Sequence, residues 1–300
     1  MRNDGQYQYV TSHLNSYLGS IKNYQVEIYD QRWRYLDGGQ GKTVIFLHGL
    51  CGSKTQWRSL MRHLIKGYRV ISIDVPGLYL EQGLENRKNN LREFALWFDV
   101  FLKKLDVRKC HLIGHSMGCT MAAYYAATRC SAVTSLTLLS FPDVLLPGDS
   151  GKIELWGRFK ESIYFKTVED IDNYFQNIYY KLPSIPGIIK KFSYQSFKKH
   201  EDRYLVMLDE LAATMPLILT LLGKIECPVL SVTGEYDGWS SERLQQEINT
   251  HIPVCEHIHL DNCGHMCFFE RPIAVRTLCA EFLDKTSLSK NKQYEGVISN

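Results

Sequence analysis

A serine becomes a nucleophile only where a base takes its proton and an acid orients that base, and three residues here are placed for such a set. Gly114-His115-Ser116-Met117-Gly118 stands between an apolar run, Cys110-His111-Leu112-Ile113, and a helix-forming run, Cys119-Thr120-Met121-Ala122-Ala123. A strand turning straight into a helix through G-x-S-x-G lifts its serine hydroxyl above a sheet and leaves it at a helix N-terminus, where the dipole favours developing negative charge. Asp237 follows the apolar run Pro228 to Val232, and His265 follows Glu256 to Leu260. All three therefore fall just past a strand end, the edge at which open α/β sheets bind ligands.

Such a set performs acyl transfer: His265 takes the Ser116 proton as the hydroxyl attacks a carbonyl, while Asp237 holds the imidazole. The resulting oxyanion needs backbone N–H donors, and the elbow supplies that of Met117. Asp143, past the apolar run Ser135 to Leu139, is a rival acid, placed behind Asp237 because Gly-x-x-Asp follows a clean buried strand. His115 and His48 read as residues that orient the elbow and its neighbouring loop. Glu235 and Glu270 read as ordinary loop and helix-start charges.

These residues need a scaffold, and the hydrophobic pattern describes one. A hairpin, Tyr24 to Tyr29 and Arg32 to Tyr35, leads into the fully apolar run Val44-Ile45-Phe46-Leu47. Helices at 56–65, 91–105 and 117–128 then alternate with strands at 69–73, 110–113 and 135–139. The alternation resumes with a strand at 228–232, a helix at 241–249, a strand at 256–260 and a helix at 272–283. Strands alternating with helices mean a mostly parallel sheet covered on both faces. Between 142 and 222 the rhythm gives way to aromatic and basic stretches, a helical insertion long enough to cap the sheet's carboxyl edge. Residues 1–23, with Val10, Leu14, Tyr17, Leu18 and Ile21 on one helical face, read as an amphipathic helix. Residues 24–141 and 223–285 form the core, and 286–300 a polar tail.

Composition narrows the partners. The net charge of +3 over 300 residues comes from scattered Lys and Arg, so no nucleic-acid surface is expected. Nine cysteines are an odd number without framework spacing and point to a reducing compartment. Cys263 and Cys267 flank His265 but lack a second ligand pair at zinc-site spacing, so no metal is expected. Gly41-Lys42-Thr43 ends like a phosphate-binding loop, yet Leu36 stands where its first glycine belongs and a strand follows, so no nucleotide or other cofactor is expected. The N-terminus has no apolar signal region and no later run has the roughly 18 apolar residues of a spanning helix, which reads as cytoplasmic. A transient membrane-surface contact has two candidates, the amphipathic start and Ile185 to Phe192, and core packing explains both.

The chain order Ser116, Asp237, His265 is that of α/β-hydrolases. The sequence resembles that family across roughly 24–285, at Leu47-His48-Gly49, Asp74-Val75-Pro76-Gly77, the elbow, Gly234-Glu235-Tyr236-Asp237, and Asn262-Cys263-Gly264-His265 with Glu270-Arg271-Pro272 behind it. The resemblance implies an α/β-hydrolase fold: a mostly parallel eight-stranded sheet flanked by helices, with a helical cap insertion. It also implies that Leu50 N–H is the second oxyanion donor. Within the family the elbow and its helix, Pro183-Ser184-Ile185-Pro186, and Asn262 to Met266 are similar to the monoacylglycerol-lipase-like branch. One departure is Leu78-Tyr79-Leu80, where many relatives carry a second glycine and then a serine. The implied activity is hydrolysis of a small-molecule or lipid ester with an apolar acyl chain. Two alternatives stand beside it. Hydrolysis of a carbon-carbon bond in a ring-cleavage product uses the same three residues, with Arg158, Lys160 and Arg203 available to hold carboxylates. A ligand-binding protein could keep the fold with little turnover. Epoxide hydrolases and dehalogenases require Asp where Ser116 stands.

Overall fold

Continuous apolar runs need burial on both faces, and the four strands that consist of them occupy the middle of the sheet. The computed structural model describes residues 20–29, 31–75, 90–142, 157, 160–240 and 242–288. Its strands are β1 (Ile21–Ile28), β2 (Gln31–Gly38), β3 (Lys42–Leu47), β4 (Tyr68–Ile73), β5 (Cys110–His115), β6 (Val133–Leu139), β7 (Val229–Gly234) and β8 (Cys255–Leu260). They form one eight-stranded sheet in the order β1-β2-β4-β3-β5-β6-β7-β8. β1 and β2 pair antiparallel, β2 meets β4 antiparallel, and every other pairing is parallel. β3, β5, β6 and β7 are almost wholly buried, whereas β1 is exposed along most of its length as an edge strand must be.

The helices are α1 (Arg58–Leu64), α2 (Leu91–Lys104), α3 (Met117–Thr128), α4 (Asp170–Ile178), α5 (Gly187–Leu221), α6 (Glu242–His251), α7 (Cys267–Glu270) and α8 (Pro272–Leu288). α2 starts at an Asn90 cap whose side chain accepts from Glu93 N, and it buries Leu91, Phe94, Ala95, Phe98 and Leu102. α3 is buried from Met117 to Ala127; its small residues let it lie close to the sheet. Between β6 and β7 stand α4 and α5. α5 packs against α3, and the pair Gly187–Thr214 and Pro216–Lys224 is bent by 44° where the Pro216 ring removes a backbone donor. Among the described residues no single helix is long and apolar enough to cross a membrane.

Three expectations need correction. Ile21, assigned to an amphipathic helix over 1–23, lies in β1 opposite Gly38 and is buried, because its partner strand offers backbone hydrogen bonds and an apolar neighbour set. Residues 286–288 are not tail: α8 runs through them. The Thr286 hydroxyl donates to Phe282 O, the Ser287 carbonyl accepts from Lys42 Nζ at 2.7 Å, and the Tyr68 hydroxyl donates to Asp284 Oδ1 at 2.7 Å. The third correction concerns Ile188, Ile189 and Phe192, expected to pack in the core and found exposed. Residues 1–19 and 289–300, Pro76 to Leu80, Asp143 and Arg158 lie outside the described residues.

A chain ending at Lys285 loses the acceptor for Lys42 and the buried end of α8. Compared with one ending at Leu288, it should be destabilised by about 1–3 kcal/mol, the scale of two lost hydrogen bonds. Urea midpoints of the two chains measure the difference, and equal midpoints would return residues 286–288 to a tail.

Candidate active site

Strand register decides which residues share an edge. Leu47 is level with Gly114, His115 with Leu139, Leu139 with Val232, and Gly234 with Leu260. The segments that follow β3, β5, β7 and β8 therefore emerge side by side, bringing His48 to Leu50, Ser116, Asp237 and His265 to the carboxyl edge.

Ser116 sits at φ 52° and ψ −123°, a region that costs a side-chain-bearing residue free energy and persists only when surroundings enforce it. Enforcement comes from both sides. Ser116 N donates to Leu139 O at 3.1 Å, and Ser116 O accepts from Cys119 N at 2.8 Å to begin α3. The flanking glycines permit the packing: a β-carbon on Gly114 would meet Gly118 O, and one on Gly118 would overlap Leu47 O and His48 O. The β3 loop closes over the serine so tightly that a β-carbon on Gly49 would stand 3.1 Å from Ser116 Cβ. Met117 N–H and Leu50 N–H belong to the two backbone segments that meet beside the hydroxyl.

His265 Nδ1 lies 2.9 Å from Asp237 Oδ1 and 3.0 Å from Oδ2, with both side chains buried. A carboxylate only accepts, so Nδ1 carries the proton in this bond, and Nε2 is the nitrogen left to act on a substrate. Asp237 is fixed in turn: Oδ1 accepts from Trp239 N at 3.0 Å, and the Trp239 ring meets the imidazole edge-on at 4.8 Å. Nε2 is buried without a hydrogen-bond partner among the described residues. Contacts of this kind tighten when a substrate seats.

Two histidines hold the frame as the sequence suggested. The His115 ring lies 4.9 Å from that of His265, and its Nε2–H donates to the His265 carbonyl at 3.0 Å. Burial, then the neighbouring His265 and His48, drive the His115 pKa well below the ordinary 6.5. His48 Nδ1–H donates to Gly49 O at 2.8 Å while Nε2 accepts from Val75 N at 2.9 Å; burial lowers its pKa too. Both rings are neutral structural pieces.

Glu270 is more than a helix-start charge. Oε2 accepts from Gly264 N at 2.8 Å and Oε1 from Lys181 N at 3.1 Å. A β-carbon on Gly264 would stand 2.6 Å from Tyr180 N, and Met266 N donates to Ile178 O at 3.3 Å. The His265 loop is thus stitched to the segment after α4. Glu235 has a similar smaller part, accepting from Asn262 N at 2.9 Å. The inserted helices also reach the site by stacking, since Tyr174 of α4 meets Trp239 at 5.8 Å. Phe175 extends the rings, 5.6 Å from Tyr174 and 6.1 Å from Tyr179, and Leu50 and Met266 are half-buried against the core. Among the residues considered for binding carboxylates, Lys160 is engaged by Asp209 at 2.7 Å, and Arg203 lies on α5 beside His200. Cys263 and Cys267 are buried free thiols, and burial pushes Cys263 up to about 12.

A strand-turn-helix serine, an Asp-His pair on two later strands and this strand order define a class. The fold is the α/β-hydrolase fold, and the profile of the alpha/beta hydrolase fold family matches residues 42–159. It is similar to monoacylglycerol lipase abhd6-A of Xenopus laevis, 23% identical over 278 residues that cover 86% of this chain and 80% of the relative. It is also similar to a 2-hydroxy-6-oxononadienedioate/2-hydroxy-6-oxononatrienedioate hydrolase of Pseudomonas putida, 24% identical over 268 residues, 85% of this chain and 92% of the relative. Among solved structures, a putative lipase from Acinetobacter baumannii AYE superposes with a TM-score of 0.84 at 20% identity, covering 96% of this chain and 99% of that one.

Glu270→Gln keeps one acceptor and turns the other into a donor facing an N–H, so a loss of about 1–3 kcal/mol in unfolding free energy is expected. An unchanged urea midpoint would remove Glu270 from the frame. The pH response follows from the two neutral histidines. Unfolded, they take up protons below 6.5; folded, they resist, so the stability they confer is complete above that value and falls as pH drops through it. The urea midpoint should therefore decline between about pH 7.5 and about pH 5.5, and His115→Gln should show a shallower decline. A flat wild-type profile would contradict neutral buried rings.

Proposed function

We propose that the protein is a carboxylic ester hydrolase acting through an acyl-enzyme on Ser116. The observation carrying this reading is the buried Asp237–His265 hydrogen bond, which leaves Nε2 to act at the sheet edge that also presents the strained Ser116. In the proposed cycle Nε2 takes the Ser116 proton as Oγ bonds to the ester carbonyl carbon. Met117 and Leu50 N–H groups stabilise the oxyanion, an effect of about 3 kcal/mol per donor in comparable sites. Collapse breaks the carbon-oxygen bond to the alcohol, which leaves with the proton from Nε2. Water then attacks the acyl group with the same imidazole as base, releasing the acid and restoring Ser116. Asp237 keeps the tautomer and balances the transient imidazolium.

The helices between β6 and β7, α4 and α5, act as a cap over this site, and the sheet with the helices that flank it, from β1 to α8, as its core. The linked rings of Tyr174, Phe175 and Tyr179, which reach Trp239 beside His265, favour an apolar acyl chain, and a monoacylglycerol has that chemistry. Likeness to a monoacylglycerol lipase supports the same substrate class. The likeness to a 2-hydroxy-6-oxononadienedioate/2-hydroxy-6-oxononatrienedioate hydrolase keeps carbon-carbon bond hydrolysis of a ring-cleavage product in view as a second reaction for the same three residues. Nine thiols without framework spacing fit a reducing, cytoplasmic compartment.

A panel of p-nitrophenyl esters of rising chain length, a monoacylglycerol and a ring-cleavage product, assayed with wild type and Ser116→Ala, separates these readings. Hydrolysis should rise from acetyl to medium-chain esters, extend to the monoacylglycerol, and fall at least about a thousandfold in Ser116→Ala. Preference for acetyl would remove the apolar-chain assignment. Turnover confined to the ring-cleavage product would establish carbon-carbon hydrolysis instead.

A further inference from the structure

The start of α5 departs from the rule that large apolar residues on a helix are buried. Ile188 is 79% exposed, Ile189 50% and Phe192 52%, with Leu182 at 39% just upstream. Helical spacing groups Ile188, Lys191, Phe192 and Lys199 on one side. The other side is the packed one: Phe197 is buried, stacking on Tyr204 at 5.4 Å, and Lys190 is paired with Asp172 of α4. Apolar clusters left open on a surface mark contact sites.

Charge says what the contact is with. Residues 181–200 contain Lys181, Lys190, Lys191, Lys198 and Lys199 and no Asp or Glu, a local charge of +5 in a chain whose total is +3. Lys190 and Lys198 are paired within the fold, with Asp172 and Glu201. Lys181, Lys191 and Lys199 form no ion pair with any described residue; Lys191 and Lys199 share the side of α5 that carries Ile188, and Lys181 precedes the helix. A second copy of the chain would oppose the same cations to themselves. A peptide partner would need a groove, and an isolated helix face is convex. Aliphatic side chains alongside lysines on a convex helix suit the boundary between anionic headgroups and acyl chains.

We propose that this face of α5, with Leu182 ahead of it, docks the protein on an anionic lipid bilayer. The face adjoins the site: Lys181, where the basic stretch begins, is held through its backbone N–H by Glu270, which also holds the His265 loop. Docking sets the segment next to His265 against the lipid. What docking delivers rests on the ester-hydrolase reading, as a substrate drawn from the bilayer; docking itself does not.

Co-sedimentation with vesicles of phosphatidylcholine alone and of equal parts phosphatidylcholine and phosphatidylserine tests this without turnover. Wild type should pellet with the mixed vesicles, pellet far less with phosphatidylcholine alone, and be released by salt. Lys191→Glu with Lys199→Glu should weaken partitioning by at least fivefold per lysine, and Ile188→Asp by tenfold or more. Circular dichroism and hydrolysis of a water-soluble ester serve as controls, since none of these residues belongs to the catalytic set. Failure of wild type to bind the mixed vesicles overturns the proposal. So does equal binding to both vesicle types, binding unaffected by Ile188→Asp, or an Ile188-dependent dimer in sedimentation equilibrium. Ester turnover without vesicle binding would refute docking alone, and vesicle binding without turnover would refute the hydrolase reading alone.

Discussion

At Ser116 a residue with a β-carbon is held at φ 52°, and much of the molecule is arranged so that it stays there. β6 accepts its amide, α3 begins on its carbonyl, and the end of β3 packs against Gly118 too closely for any side chain to intervene. Strain of this sort costs about 1–3 kcal/mol and survives only in a rigid setting. The setting is the run of buried parallel strands, whose register also brings the β3, β7 and β8 loops to the same edge.

The imidazole is positioned by a different means. A ring that must rotate little and keep one tautomer is fixed at Nδ1 by Asp237, at its carbonyl by His115, and through its loop backbone by Glu270. Glu270 also binds the segment leading out of α4, so the inserted helices and the His265 loop share one carboxylate. That junction lies at the base of the basic, apolar start of α5, which ties the surface proposed to meet lipid to the proposed base.

Much of this was legible from residue order. Apolar runs of four to six residues revealed the central strands, and the loops after them exposed Ser116, Asp237 and His265, since a strand end is visible as a change in composition. The structural reading of His115 and His48 also survived, each ring bonded to backbone. Glu270 was misjudged because a carboxylate that accepts two backbone N–H groups from distant segments looks in sequence like any other charge. Ile188 and Phe192 were misjudged because apolar residues at helical spacing ordinarily signal burial, and only the packed position of Phe197 reveals which side of α5 is occupied. The placement of Ile21 and of the end of α8 is decided by pairing partners, Gly38 across the hairpin and Lys42 near the other end of the chain.

Reaction of the folded protein with a fluorophosphonate, followed by peptide mapping, probes the catalytic assignment most directly. The expected result is one phosphonyl adduct on Ser116 Oγ, absent from Ser116→Ala and formed far more slowly in Asp237→Asn, which loses the carboxylate that fixes the His265 tautomer. An adduct on another residue, or none on folded wild-type protein, would contradict an activated Ser116.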